Sequence, residues 1–274
     1  MAASYTYDTL DQAGVRDYIF HPTPASSAPC PAAAEDLSVT TADGVTLHLR
    51  IFAVHDPEAP CLLFFHGNGE IVADYDDVGP HYNQHGITFM AAEYRGYGKA
   101  DGTPTASTMM SDCHVLLEAA TDWRKEHGSS GKLLVMGRSL GSAPAIELAW
   151  SHADRISALL IDSGFALTIP LLKTIGVDVD GLELSEEQGF HNLDKIKKIT
   201  MPTYIIHGQL DEIIELTNAA ELIAESPAEQ KEFQTVPGAG HNSILAVAGS
   251  MYYEVMARFI SKIGQVRKKR PGIR

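Results

Sequence analysis

Short runs of nearly uninterrupted apolar residues constrain this chain more than any other feature. They lie at 61–65, 87–92, 133–136, 158–161 and 203–206, with a weaker one at 232–236. A strand with one face in water alternates apolar and polar residues. A strand that is apolar throughout has both faces covered, as in a parallel sheet flanked by helices. Segments near 72–85, 107–127, 140–152, 216–225 and 243–263 separate the runs and carry helical periodicity. Strand–helix alternation of this kind predicts an α/β fold with a doubly wound, mostly parallel sheet. Ahead of it, 37–41 and 45–52 alternate around Ala42-Asp43-Gly44, which predicts an antiparallel hairpin turning at Asp43-Gly44.

One domain over 35–263 accommodates every element of the 274-residue chain. Residues 1–34 read as an extended Pro/Ala-rich leader, because Pro22, Pro24, Pro29 and Pro31 exclude a helix or a central strand. Residues 165–195 are too long for a plain crossover and read as a small cap insertion. Their first half, from Phe165 through Leu171 and Leu172, is apolar; their second carries Asp178, Asp180, Glu183, Glu186 and Glu187. An apolar underside with an acidic outer face suits a lid over an acyl pocket. Residues 264–274 form a basic tail, read as solvated.

Lys plus Arg number 21 against 35 for Asp plus Glu, so no broad face can neutralise phosphates and a dedicated nucleic-acid binder is not expected. Cys30, Cys61 and Cys113 form no disulfide framework, and the N-terminus lacks the basic and apolar regions of a signal peptide. Both point to the cytoplasm. No apolar stretch is long enough for stable membrane insertion. The sequence leaves the oligomeric state open.

Gly137-Arg138-Ser139-Leu140-Gly141 follows one apolar run directly and opens the next helix. A G-x-S-x-G at a strand–turn–helix junction lifts a serine oxygen above the sheet, and its glycines let backbone pack closely. The helix N-terminus then faces any negative charge that develops there. His241, in Pro237-Gly238-Ala239-Gly240-His241-Asn242, follows the last strand, where a general base must sit. Asp211, in His207-Gly208-Gln209-Leu210-Asp211-Glu212, follows the preceding strand and could orient that imidazole. Asp162 and Glu212 are rival acids at strand ends. His66-Gly67-Asn68-Gly69-Glu70 is placed to offer the Asn68 backbone N–H to an oxyanion, with Leu140 supplying the second.

Other signals carry less. Gly67-x-Gly69 and Gly96-x-Gly98 lack the third glycine of a dinucleotide fingerprint, and Gly131-Lys132 is no phosphate loop, so no cofactor is expected. His81 and His85 stand four apart on an expected helix but lack the Glu of a zincin, so they read as surface residues and no metal site is expected.

Together His66–Gly69, the segment Glu93-Tyr94-Arg95-Gly96-Tyr97-Gly98, the Gly137–Gly141 elbow, His207-Gly208 with Asp211, and Gly238–Asn242 resemble the α/β-hydrolase superfamily over about residues 35–263. Arg-Gly-Tyr-Gly and Leu193-Asp194-Lys195-Ile196 resemble its depalmitoylase-like branch, whose motifs serine-aminopeptidase-like enzymes share. The resemblance implies a serine hydrolase with Ser139, Asp211 and His241 as triad, acting on a small-molecule ester or thioester. Alternatives are an aminopeptidase-like enzyme, with Glu70 for a substrate amine, and a non-catalytic ligand-binding module. Phe165, Leu171 and Leu172 are the candidate pocket residues. Arg138 departs from the small or neutral residue common before the nucleophile, and the N-terminus lacks a Cys-rich segment.

Overall fold

The computed structural model describes residues 5–263; the basic tail at 264–274 lies outside them. Eight strands form one sheet: β1 (Glu35–Thr40), β2 (Thr46–Phe52), β3 (Cys61–Phe65), β4 (Thr88–Glu93), β5 (Leu133–Arg138), β6 (Ala158–Asp162), β7 (Thr203–Gly208) and β8 (Lys231–Val236). Their order is β1-β2-β4-β3-β5-β6-β7-β8. The pairs β1–β2 and β2–β4 are antiparallel, and every later pair is parallel. Gly44, at φ 84°, turns the hairpin at the residue expected to turn it.

The helices are α1 (Ala13–Ile19), α2 (Val78–Gln84), α3 (Ala106–Glu126), α4 (Ser142–Ser151), α5 (Thr168–Thr174), α6 (Asn192–Ile196), α7 (Leu216–Glu225), α8 (Ile244–Ala248) and α9 (Ser250–Lys262). Alternate strand residues feed two separate cores. Leu63, Phe65, Val135, Ile161 and Ile205 pack against α3, α4 and α7. Leu62, Phe64, Met136, Leu160 and Ile206 pack against α2 and α9. That is why the runs are apolar throughout. Each such side chain contributes about 1.5–3 kcal/mol by leaving water.

Two expected helices are interrupted. Pro80 has no N–H for the carbonyl of Asp76, so 72–85 divides into a 3-10 turn, Val72–Tyr75, and α2. Gly249, at φ 55° and ψ −134°, separates α8 from α9. The leader differs from expectation in its first part. Ala13–Ile19 is helical, and Tyr7, Leu10, Val15, Ile19 and Phe20 are buried in the main core. The prolines govern only the stretch beyond Phe20, where Pro24 bridges Gly98. His81 and His85 stack on Tyr253, with ring centroids 4.9 and 6.5 Å apart. Among the described residues no helix is long and apolar enough to cross a membrane.

Candidate active site

Parallel strands β5, β7 and β8 deliver their following loops to one edge of the sheet, which gathers residues distant in sequence. Ser139 sits in the turn after β5 at φ 51°, a conformation rare for a residue with a side chain. The turn is tight enough to demand both glycines. A Cβ on Gly137 would lie 2.0 Å from the Gly141 carbonyl oxygen, and one on Gly141 would lie 2.1 Å from that of Phe65.

Across the edge, His241 Nε2 is 2.9 Å from Ser139 Oγ, and His241 Nδ1 is 2.8 Å from Asp211 Oδ2. A carboxylate only accepts, so Nδ1 carries the proton and Nε2 presents its lone pair to the hydroxyl. Asp211 Oδ1 accepts the backbone N–H groups of Ile213 (3.0 Å) and Ile214 (2.8 Å), which fixes the carboxylate plane. Burial alone would raise the Asp211 carboxyl, but hydrogen bonds from His207 and His241 outweigh it and hold the group well below the usual carboxylate range. The rival acids are engaged elsewhere. Asp162 accepts from Tyr252 Oη (2.7 Å) and Ser163 Oγ (2.9 Å), and Glu212 approaches the His241 backbone N–H at 3.3 Å rather than its ring.

Arg138 ties three loops together. Its guanidinium pairs with Glu70 after β3 and donates to the His241 carbonyl (3.1 Å) and to Asn242 Oδ1 (3.0 Å). Glu70 also accepts from the Gly67 N–H (2.7 Å) and Tyr75 Oη (2.6 Å). Burial opposes its ionisation, but the charge of Arg138 prevails and keeps the carboxyl below its ordinary value. The sequence placed Glu70 in the substrate pocket; here it is a bracing group inside the loop, neutralised by Arg138.

Ser139 opens into a cavity of about 190 Å³ whose lining includes Asn68, Leu140 and His241 together with Ile19, Leu171, Leu172, Ile175, Phe190 and Ile213. Leu171 and Leu172 come from α5, so part of the 165–195 insertion lies beside the serine. Phe165, a candidate pocket residue, is not in that lining. It opens the insertion three residues after β6, where its ring meets Phe190 edge-on at 5.6 Å and it borders a neighbouring cavity. Glu186 is not on an acidic outer face either: its carboxylate accepts the N–H groups of Thr168 (2.9 Å) and Ile169 (2.7 Å) at the start of α5.

Tyr97 and His21 complete the surroundings. Tyr97 Oη donates to Asn68 Oδ1 at 2.7 Å, which gives the Arg-Gly-Tyr-Gly segment a place in the site. From sequence alone Tyr97 enters only through a resemblance, and neither His21 nor Ile19 is given a role. A sequence signal existed for Ile19: Val15 and Ile19 stand four apart, as on one helix face.

Residues 56–176 match the family described as serine aminopeptidase, S33 (Hydrolase_4). The chain is 29% identical over 236 residues to protein bem46 of Schizosaccharomyces pombe, covering 83% of this chain and 77% of that one. It is 32% identical over 212 residues to the human alpha/beta hydrolase domain-containing protein 17B, covering 73% of this chain and 66% of the relative. Among solved structures, the Pyrococcus furiosus esterase Pf2001 superposes with a TM-score of 0.70 at 18% identity, over 88% of this chain and 98% of the esterase.

Proposed function

The chain belongs to the α/β-hydrolase superfamily, and on that premise we propose that it is a serine hydrolase cleaving a carboxylic ester or thioester through an acyl-enzyme. One observation carries the reading: His241 bridges Ser139 Oγ and Asp211 Oδ2 at hydrogen-bond distance beside a largely apolar cavity.

In this mechanism Ser139 Oγ attacks the acyl carbon while His241 Nε2 takes its proton. Asp211 holds the ring and stabilises the imidazolium. The backbone N–H groups of Asn68 and Leu140 receive the negative charge that forms on the carbonyl oxygen. His241 then returns the proton to the leaving alkoxide or thiolate, the acyl group stays on Ser139, and water repeats the sequence to release the acid. The residues at 165–195 act as a cap, with Leu171 and Leu172 against the acyl chain, on a hydrolase domain over 35–263.

The matched family's description suggests a peptidase as a second reading. Recognition of a substrate amine needs a free carboxylate at the pocket. Glu70 is committed to Arg138 and lies outside the cavity lining, which among the described residues includes no acid. A panel of nitrophenyl esters of increasing chain length, run beside an amino-acid anilide, tests the proposal. Turnover of the esters with a chain-length optimum is expected. Turnover of the anilide alone would establish the peptidase, and turnover of neither would favour the non-catalytic binding module.

A further inference from the structure

The segment that precedes the sheet is fastened to the loop that carries Asn68. The Asn68 side-chain amide grips His21 twice: Oδ1 accepts the His21 backbone N–H at 2.9 Å, and Nδ2 lies 2.8 Å from His21 Nδ1. A backbone N–H can only donate, so it identifies the oxygen end of the amide. The other end must then donate, and the His21 ring nitrogen must accept. Tyr97 Oη joins the same junction, donating to Asn68 Oδ1 and lying 3.0 Å from the His21 N–H. Two residues on, Thr23 Oγ1 donates to the Gly69 carbonyl at 2.6 Å, and the Thr23 carbonyl accepts the Gly98 N–H at 2.8 Å. Two residues earlier, Ile19 lines the cavity at Ser139.

Asn68 needs an external hold because glycines flank it, and Gly69 adopts φ 76°. A loop of that composition has more backbone freedom than a precise donor site tolerates. We propose that His21 is a positioning residue for the oxyanion hole: its ring and backbone fix the Asn68 side chain and thereby aim the Asn68 N–H at the reacting carbonyl. The assignment rests on the serine-hydrolase reading and deepens it. It makes the N-terminal segment part of the site, although that segment lies outside the residues matched by the family model.

His21 is exposed, so its ring contributes little to folding. An oxyanion-hole donor acts in the transition state, so misaiming it lowers kcat and leaves KM nearly unchanged. The test compares wild type, His21→Ala and His21→Asn on the best nitrophenyl ester, with thermal melts of each. His21→Ala is expected to lose about tenfold in kcat, a fraction of the 10²–10³ that attends complete loss of a donor. KM and the melting temperature should stay close to wild type. His21→Asn offers an oxygen to Asn68 Nδ2 and should recover most of the rate. Unimpaired kcat in His21→Ala, with active wild type, overturns the assignment of His21 alone. A loss that tracks a fall in melting temperature and is not rescued by Asn also overturns it, in favour of a structural role. Absence of ester turnover in wild type overturns the hydrolase reading and this inference with it.

Discussion

At Ser139 the positive φ costs on the order of 1–3 kcal/mol, and the close packing of Gly137 and Gly141 sustains it. Alanine needs the same backbone and fills the same space less one oxygen, so Ser139→Ala should fold. Asp211 allows a sharper test. In Asp211→Asn the Oδ1 bonds to Ile213 and Ile214 can persist while the charge opposite His241 disappears. We expect kcat to fall by about 10³–10⁴, as in the analogous serine-protease change. Asp162→Asn should leave kcat nearly intact, and the reverse pattern would move the acid to β6. The sign of the pH effect follows from the depressed Asp211 carboxyl. Its native pKa lies below its unfolded value, so it stabilises the fold at neutral pH and that contribution drains away as pH falls through the carboxylate range. The acid limb of the stability curve should therefore be shallower in Asp211→Asn, which denaturant titrations across pH would show. Ser139, Asp211 and His241 were legible because each lies in the loop after a strand whose place in a parallel sheet is itself legible. The bracing around them was not. Asn68 meets His21 across 47 residues and Arg138 meets Glu70 across 68, and no local pattern encodes such a pairing.

Among elements, α5 is the one to which the proposed function assigns acyl-chain selectivity. Glu186 caps its N-terminus, and Leu171 and Leu172 face the cavity from it. The two leucines differ in burial. Leu172 is 1% exposed and part of the main core, whereas Leu171 is only partly buried. Leu171→Asp should therefore weaken turnover of long acyl chains relative to acetate with little loss of stability. Leu172→Ala should cost about 2–5 kcal/mol and, because Leu172 also faces the cavity, should shift the chain-length preference as well as lower the folded fraction. Equal loss on all chains in Leu171→Asp, measured on the same ester panel, would place that residue in the core. The strands were readable from continuous apolarity, and the long helices from period. The helix α1 was not, because seven residues give too short a period and tertiary contacts hold it in place.

Over the whole molecule, a buried charge cluster joins the N-terminal segment, the helix after Ser139 and the 165–195 insertion. Lys195 is fully buried; its Nζ lies 2.6 Å from Glu147 Oε2 on α4, 2.8 Å from Tyr7 Oη and 2.7 Å from the Phe190 carbonyl. Burial pushes the lysine pKa down, and the charge of Glu147 works against that shift. Removing one partner leaves the other charged and unpaired, so Glu147→Leu should destabilise by about 3–5 kcal/mol in denaturant unfolding. Glu147→Leu with Lys195→Met should recover most of that, since an apolar pair of similar volume suffices. A double variant no more stable than Glu147→Leu would mean the pair is needed for the packing itself. The central claim, that Ser139 is a nucleophile activated by His241, is tested most directly by intact-protein mass spectrometry after exposure to a fluorophosphonate. Wild type should gain the mass of a single phosphonyl group, localised to Ser139 by peptide mapping, and Ser139→Ala should gain none. An unmodified wild type, or an adduct that persists in Ser139→Ala, would contradict it.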